Sequence, residues 1–213
     1  MPEVVINGPE GRIEARYQKA ASPTAPVALV MHPHPRFGGT MNNKVVYNVF
    51  HALSRSGFAV LRFNFRGVGK SQGAIDNGQG ELADAAAALD WLQTFHPNAS
   101  QTWVGGFSFG AWIAMQLLMR RPEINAFVAV APPANIYDFA FLAPCPSSGL
   151  IIQGTGDEVV PEPEVAKLAN RLKAQRGSGV EYKTIPGASH FFEGKLDELS
   201  AVIDRYADAS VRA

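Results

Sequence analysis

Short unbroken apolar runs alternate along this chain with longer stretches in which apolar residues recur every three or four positions. Val27–Met31 is wholly apolar, and Phe58–Phe65, Ile124–Ala131 and Gly149–Gln153 are largely so. Such runs predict strands buried on both faces. Thr102–Val104 reads as a strand end, and Val180–Ile185 as the last strand. Between them the spacing predicts helices. One starts at a cap on Asn42 or Asn43 and runs to about Ser56, with Val46, Val49, Phe50 and Leu53 on one face, stopping at Gly57. The others span Glu81 to about Phe95 (ended by Pro97), Ala111–Arg120, Glu162–Arg176 and Lys195–Ala207. Ahead of all these, Val4–Asn7 and Arg12–Lys19 flank the turn sequence Gly8-Pro9-Glu10-Gly11 and predict an antiparallel hairpin. Strands alternating with helices imply βαβ units and a mostly parallel sheet covered on both faces. No internal repeat or linker interrupts the pattern, so one domain over residues 1–213 is expected.

Composition narrows the function classes. The 213 residues are 46% hydrophobic and 18% charged, with 19 basic and 19 acidic side chains. No basic run is present, so neither nucleic acid nor an anionic membrane surface is indicated as a partner. No apolar run approaches the roughly 20 residues of a membrane span. Met1–Ile6 lacks the basic region and apolar core of a signal peptide. The lone cysteine, Cys145, permits no intramolecular disulfide, which suits a reducing cytoplasm. A homo-oligomer is compatible with the sequence.

The candidate chemistry begins at Gly106-Phe107-Ser108-Phe109-Gly110, a G-x-S-x-G sequence between a strand and a helix. A serine at such an apex sits in strained backbone, with small flanking residues avoiding a collision across the turn. The following helix N-terminus aims N–H groups at incoming negative charge. In a parallel sheet, function collects beyond the carboxyl ends of the strands. The loops there contribute His32-Pro33-His34, Arg66–Ser71, Ser108, Gly154-Thr155-Gly156-Asp157-Glu158 and Gly187-Ala188-Ser189-His190. Ser108, Asp157 and His190 therefore meet one edge in the order Ser…Asp…His. A serine hydroxyl needs a base to take its proton as it attacks. Histidine supplies that base near neutral pH, and a carboxylate behind it fixes the tautomer and stabilises the imidazolium. Glu158 adjoins Asp157 and stands as the alternative acid, with Asp138 a more distant one.

Together, His32–Pro35, Gly38–Val45, Phe65–Ser71, Gly106–Gly110 and Ser189–Phe192 resemble the α/β-hydrolase superfamily, and more narrowly its small bacterial lidless serine hydrolases and esterases. The resemblance spans nearly the whole chain. It implies an α/β-hydrolase fold: an eight-stranded, mostly parallel sheet, its second strand antiparallel, helices on both faces and no large cap domain. It also implies Ser108, Asp157 and His190 as the triad, with the backbone N–H groups of Phe109 and His34 as oxyanion donors. Proline stands at position 33, where the wider superfamily carries glycine.

Other motifs point nowhere further. Gly69-Lys70-Ser71 lacks the glycine of a P-loop five positions upstream, where Asn64 stands, and Gln72 replaces the third glycine of a dinucleotide fingerprint. His32 and His34 lack a third metal ligand, and Cys145 lacks an adjacent base. The expectation is a serine hydrolase of carboxylic esters with small-molecule substrates, requiring no cofactor or metal. Amide, thioester and lactone hydrolysis, and a non-catalytic binding protein of the same fold, are the alternatives. Only about 17 residues separate the strand ending near Ala131 from the one starting near Gly149, room for a loop or one short helix. Phe139 and Phe141 there, with Phe37 and Trp112, are the candidate substrate-binding residues, and a short acyl chain is expected.

Overall fold

A computed structural model describes residues 3–212. Met1, Pro2 and Ala213 lie outside the described residues, so the reading of the chain start as leaderless and the outer bounds of the expected domain fall partly beyond them. The described residues form eight strands: β1 (Glu3–Gly8), β2 (Gly11–Gln18), β3 (Val27–Met31), β4 (Ala59–Phe63), β5 (Thr102–Phe107), β6 (Ala126–Val130), β7 (Ser148–Gly154) and β8 (Val180–Ile185). They form one sheet in the order β1-β2-β4-β3-β5-β6-β7-β8. β2 runs antiparallel to both neighbours, and every other pair from β4 to β8 is parallel. This is the α/β-hydrolase fold.

Five helices cover the sheet: α1 (Lys44–Arg55), α2 (Gln79–Phe95), α3 (Phe109–Leu118), α4 (Glu162–Lys173) and α5 (Leu196–Arg212). Strand alternation sorts the core into two layers. Leu29, Phe63, Val104 and Ile151 pack with Leu89 of α2, Ile113 of α3 and Val165 of α4. On the opposite face Val30, Val60, Trp103 and Leu150 pack with Val49 and Phe50 of α1 and with Leu199 and Ile203 of α5. Each such side chain contributes about 1.5–3 kcal/mol on burial, so the strands hold firmly while the loops at their ends are free to carry chemistry.

Several boundaries differ from the sequence expectation: α4 stops at Lys173 rather than Arg176, β6 is the shorter Ala126–Val130, and three more differences bear on the fold. α3 begins at Phe109, directly after Ser108, rather than at Ala111, because the strand turns straight into the helix with Ser108 itself as the cap. The fourth strand, Ala59–Phe63, is shorter than Phe58–Phe65; the Asn64 N–H still donates to Glu14 O of β2 at 2.8 Å, while its side chain turns to accept the Met41 N–H at 2.8 Å. α5 continues beyond Ala207 to Arg212. Between Val130 and Ser148 there is neither helix nor strand. No helix of the described residues is long and apolar enough to cross a membrane.

Candidate active site

Ser108 sits at the carboxyl end of β5 with φ 54° and ψ −119°, a region L-residues rarely adopt. Its neighbours explain why the chain accepts this. A Cβ on Gly106 would strike the Gly110 carbonyl, and one on Gly110 would strike the carbonyls of Met31 and His32 at the end of β3. The first glycine lets the turn close on itself, and the second lets α3 pack onto β3. The Ser108 N–H is tied to Val130 O at 2.8 Å. With the backbone fixed in this way, the half-buried Ser108 hydroxyl stands 3.2 Å from His190 Nε2.

His190 is 6% exposed and comes from the loop after β8. That loop is stitched to the one after β7. Thr155 N–H donates to Ile185 O at 3.1 Å, Gly156 N–H to Ala188 O at 3.0 Å, and Gly187 N–H to Thr155 Oγ1 at 2.8 Å. The stitching brings His190 Nδ1 to 2.7 Å from Asp157 Oδ2. Asp157 is 6% exposed, whereas Glu158 is exposed to solvent and Asp138 is exposed and caps Ala140 N–H. Of the three carboxylates, Asp157 is the one at His190.

Burial alone would push the Asp157 carboxyl upward. Hydrogen bonds from His190, the Val160 N–H and Gln153 outweigh it and hold the group below the usual aspartate value. Asp157 is therefore an anion, able to accept the Nδ1–H of His190. The proton on Nδ1 leaves Nε2 as an acceptor for the Ser108 hydroxyl.

The two N–H groups proposed for an oxyanion hole remain available. The first residue of α3, Phe109, has no intrahelical acceptor. Neither its N–H nor that of His34 donates to an acceptor among the described residues. His34 is positioned by His32, which is wholly buried. His32 Nδ1 donates to Pro33 O at 2.7 Å, and its Nε2 accepts the Phe65 N–H at 3.0 Å. Burial pulls the His32 pKa down to about 4, so the ring is neutral, as these two bonds require. His32 thus acts as a brace for the His34 loop. The sequence offers it as a metal ligand without partners, and among the described residues no group of three His, Cys, Asp or Glu side chains is placed to hold an ion.

The candidate substrate-binding aromatics divide. The His34 ring lies 4.7 Å from that of Phe109 and 5.3 Å from that of Phe37, which is 87% exposed. Trp112 stacks on Tyr137 at 4.3 Å, with Phe109 5.7 Å away, and donates its Nε1–H to Asp138 O. Phe141 is partly buried. Phe139 is 3% exposed, belongs with Leu168 of α4 to the core that holds the 131–147 segment down, and lines a cavity with Tyr137 and Leu168 whose wall does not include Ser108. Its ring stacks on that of Phe141, 5.9 Å away, so the two share one side of the irregular segment and differ in depth. Glu81, wholly buried in the first turn of α2, was not singled out by the sequence. It accepts the Asp76 and Gly78 N–H groups at 2.9 and 2.7 Å and folds that loop beneath Trp112. Nor is Gln153 singled out, although it is a polar residue ending an unbroken apolar run.

Comparison with known proteins agrees with the fold. A family model described as the alpha/beta hydrolase fold matches residues 37–147. An uncharacterized protein of Rickettsia prowazekii is 59% identical, over 97% of this chain and 88% of its own length. A lysophosphatidylserine lipase of Bos taurus is 27% identical over 99% of this chain, and the chain spans 63% of that protein's length. Among solved structures, a protein of unknown function from Agrobacterium tumefaciens assigned to the α/β hydrolases superposes with a TM-score of 0.96 at 56% identity, covering 99% of this chain and 97% of its own. A serine hydrolase of Xanthomonas campestris, described as without a lid, superposes at 0.86 with 33% identity, covering 96% and 92%.

Proposed function

The chain belongs to the α/β-hydrolase family, and on that premise we propose that it is a serine esterase cleaving carboxylic esters with short acyl chains. The observation that carries the reading is the continuous hydrogen-bonded line from Ser108 Oγ through His190 to Asp157, at 3.2 and 2.7 Å. In this scheme Ser108 Oγ attacks the ester carbonyl as its proton passes to His190 Nε2. Asp157 holds the resulting imidazolium. The Phe109 and His34 N–H groups receive the oxyanion, where one lost donor costs about 3–4 kcal/mol. His190 then returns the proton to the departing alcohol. Water, activated by the same ring, releases the acid from the acyl-enzyme. Every group in the scheme is supplied by the chain itself, and the proposed compartment is the reducing cytoplasm.

Support for short acyl chains comes from residues 131–147. This segment carries no helix and is pinned by Phe139 and Leu142, which are 3% and 1% exposed. A pinned, short segment neither encloses a long chain nor lifts as a lid. A second reading, hydrolysis of a lysophospholipid, is favoured by the activity in the bovine relative's name. A panel of p-nitrophenyl esters separates them. Rates highest from C2 to C6, with no jump above the solubility limit, support the short-chain esterase. A preference for C12 or longer, or a jump at the limit, supports the lipase. Turnover of p-nitroanilides but not esters would turn the reading to an amidase.

A further inference from the structure

Gln153, the penultimate residue of β7, has its side chain wholly buried. Its amide nitrogen stands 3.0 Å from Asp157 Oδ2 and 2.7 Å from Val160 O. Both neighbours are acceptors only, one a carboxylate and the other a carbonyl, so chemistry fixes which end of the amide faces them. The other end, Oε1, is buried with no partner among the described residues. A buried amide oxygen with no protein donor is unfavourable. A Met or Leu would fill a similar volume without incurring it, so packing alone gives no reason for a glutamine.

We infer that Gln153 is a positioning residue for the triad, setting which oxygen of Asp157, and which direction of that oxygen, faces His190. This rests on the proposed roles of Ser108, His190 and Asp157. The Asp157 carboxylate takes four donors. Oδ1 accepts the N–H groups of Val159 at 2.9 Å and Val160 at 2.7 Å. Oδ2 accepts His190 Nδ1 at 2.7 Å and Gln153 Nε2 at 3.0 Å. The two backbone donors anchor one oxygen. Rotation of the carboxylate about its own axis is then resisted at the other oxygen by Gln153 alone, apart from His190 itself. Through its bond to Val160 O, the same amide also ties the carboxylate to the turn that supplies the backbone donors. A carboxylate held at both oxygens presents a fixed acceptor to the Nδ1–H, and that in turn fixes the aim of Nε2 at Ser108.

The test compares wild type with Gln153→Met, which keeps volume and removes the donor. Ser108→Ala runs in parallel, with p-nitrophenyl butyrate as substrate. In Gln153→Met, kcat is expected to fall about 10-fold, the low end of the effect of removing the partner behind a metal-binding ligand. KM should stay within about 2-fold, because Gln153 touches no substrate. Independently of any substrate, the downfield proton resonance of His190 Nδ1–H should shift or broaden in the variant, as its acceptor becomes free to rock. Unchanged kcat together with an unchanged, sharp resonance in folded Gln153→Met overturns the inference. So does a kcat loss that merely tracks a lower folded fraction while the resonance stays in place. If Gln153→Met does not fold, Gln153→Leu, which likewise lacks the amide donor and adds no titratable group, carries the same two readouts. Turnover persisting in Ser108→Ala would instead strike the proposed function, leaving the resonance to judge Gln153.

Discussion

The Phe65 N–H donates to His32 Nε2 at 3.0 Å, a bond that a protonated histidine cannot accept. The two residues lie at the ends of neighbouring strands, and the bond is what joins the His34 loop to the strand beside it. Because burial depresses the His32 pKa from 6.5 to about 4, the unfolded chain takes up a proton there before the folded one does. Stability from this group is complete above pH 6.5 and is lost as pH falls toward 4, by up to about 3 kcal/mol. Urea unfolding between pH 7 and 4 should show that decline in the wild type and a flatter profile in His32→Asn. Parallel profiles would remove His32 as the cause.

Asp157 and Glu158 are neighbours with opposite surroundings, one at His190 and the other in solvent. Asp157→Asn should lower turnover by about 10⁴-fold, because the amide presents the wrong partner to Nδ1 and favours the wrong tautomer. Glu158→Gln should stay within a few-fold of wild type. Steady-state kinetics on one chromogenic ester decides it, and the reverse ranking would mean that the carboxylate was misassigned.

The strained backbone at Ser108 carries its own prediction. Its φ of 54° costs about 1–3 kcal/mol for a residue with a side chain. Ser108→Gly relieves that strain and gives back part of the gain as chain entropy, about 0.5–1 kcal/mol. The variant should be inactive yet about 1 kcal/mol more stable than Ser108→Ala, which keeps the strain. Equal urea midpoints for the two would show that the surroundings demand no distortion there.

Much of this was legible because it rests on short-range pattern. Val27–Met31 is bounded as its apolar content predicts, and Val180–Ile185 as its β-branched and aromatic residues predict. The elbow's five residues fix a strand–turn–helix by sterics alone. Legibility fell where the deciding fact is a contact between loops. The start of α3 was missed because Gly110 in its first turn weakens the helical pattern, whereas the packing of that glycine on β3 is what the helix needs. The end of α5 was missed because Asp208-Ala209-Ser210 shows little periodicity. Asp157 and Glu158 differ in burial, which sequence order does not encode. Gln153 is read only once the chain between it and Val160 is seen to turn back on itself. Phe139 and Phe141 stack on each other and differ in depth, which an irregular segment has no period to encode.

The central claim is that Ser108 is the nucleophile, and the most direct measurement is where a fluorophosphonate lands. The intact protein is treated with the probe, digested, and the modified peptide sequenced by mass spectrometry. The account predicts one adduct per chain, on Ser108, formed slowly in Asp157→Asn and absent in Ser108→Ala. No labelling of the folded protein, or an adduct that persists on another residue in Ser108→Ala, would contradict it.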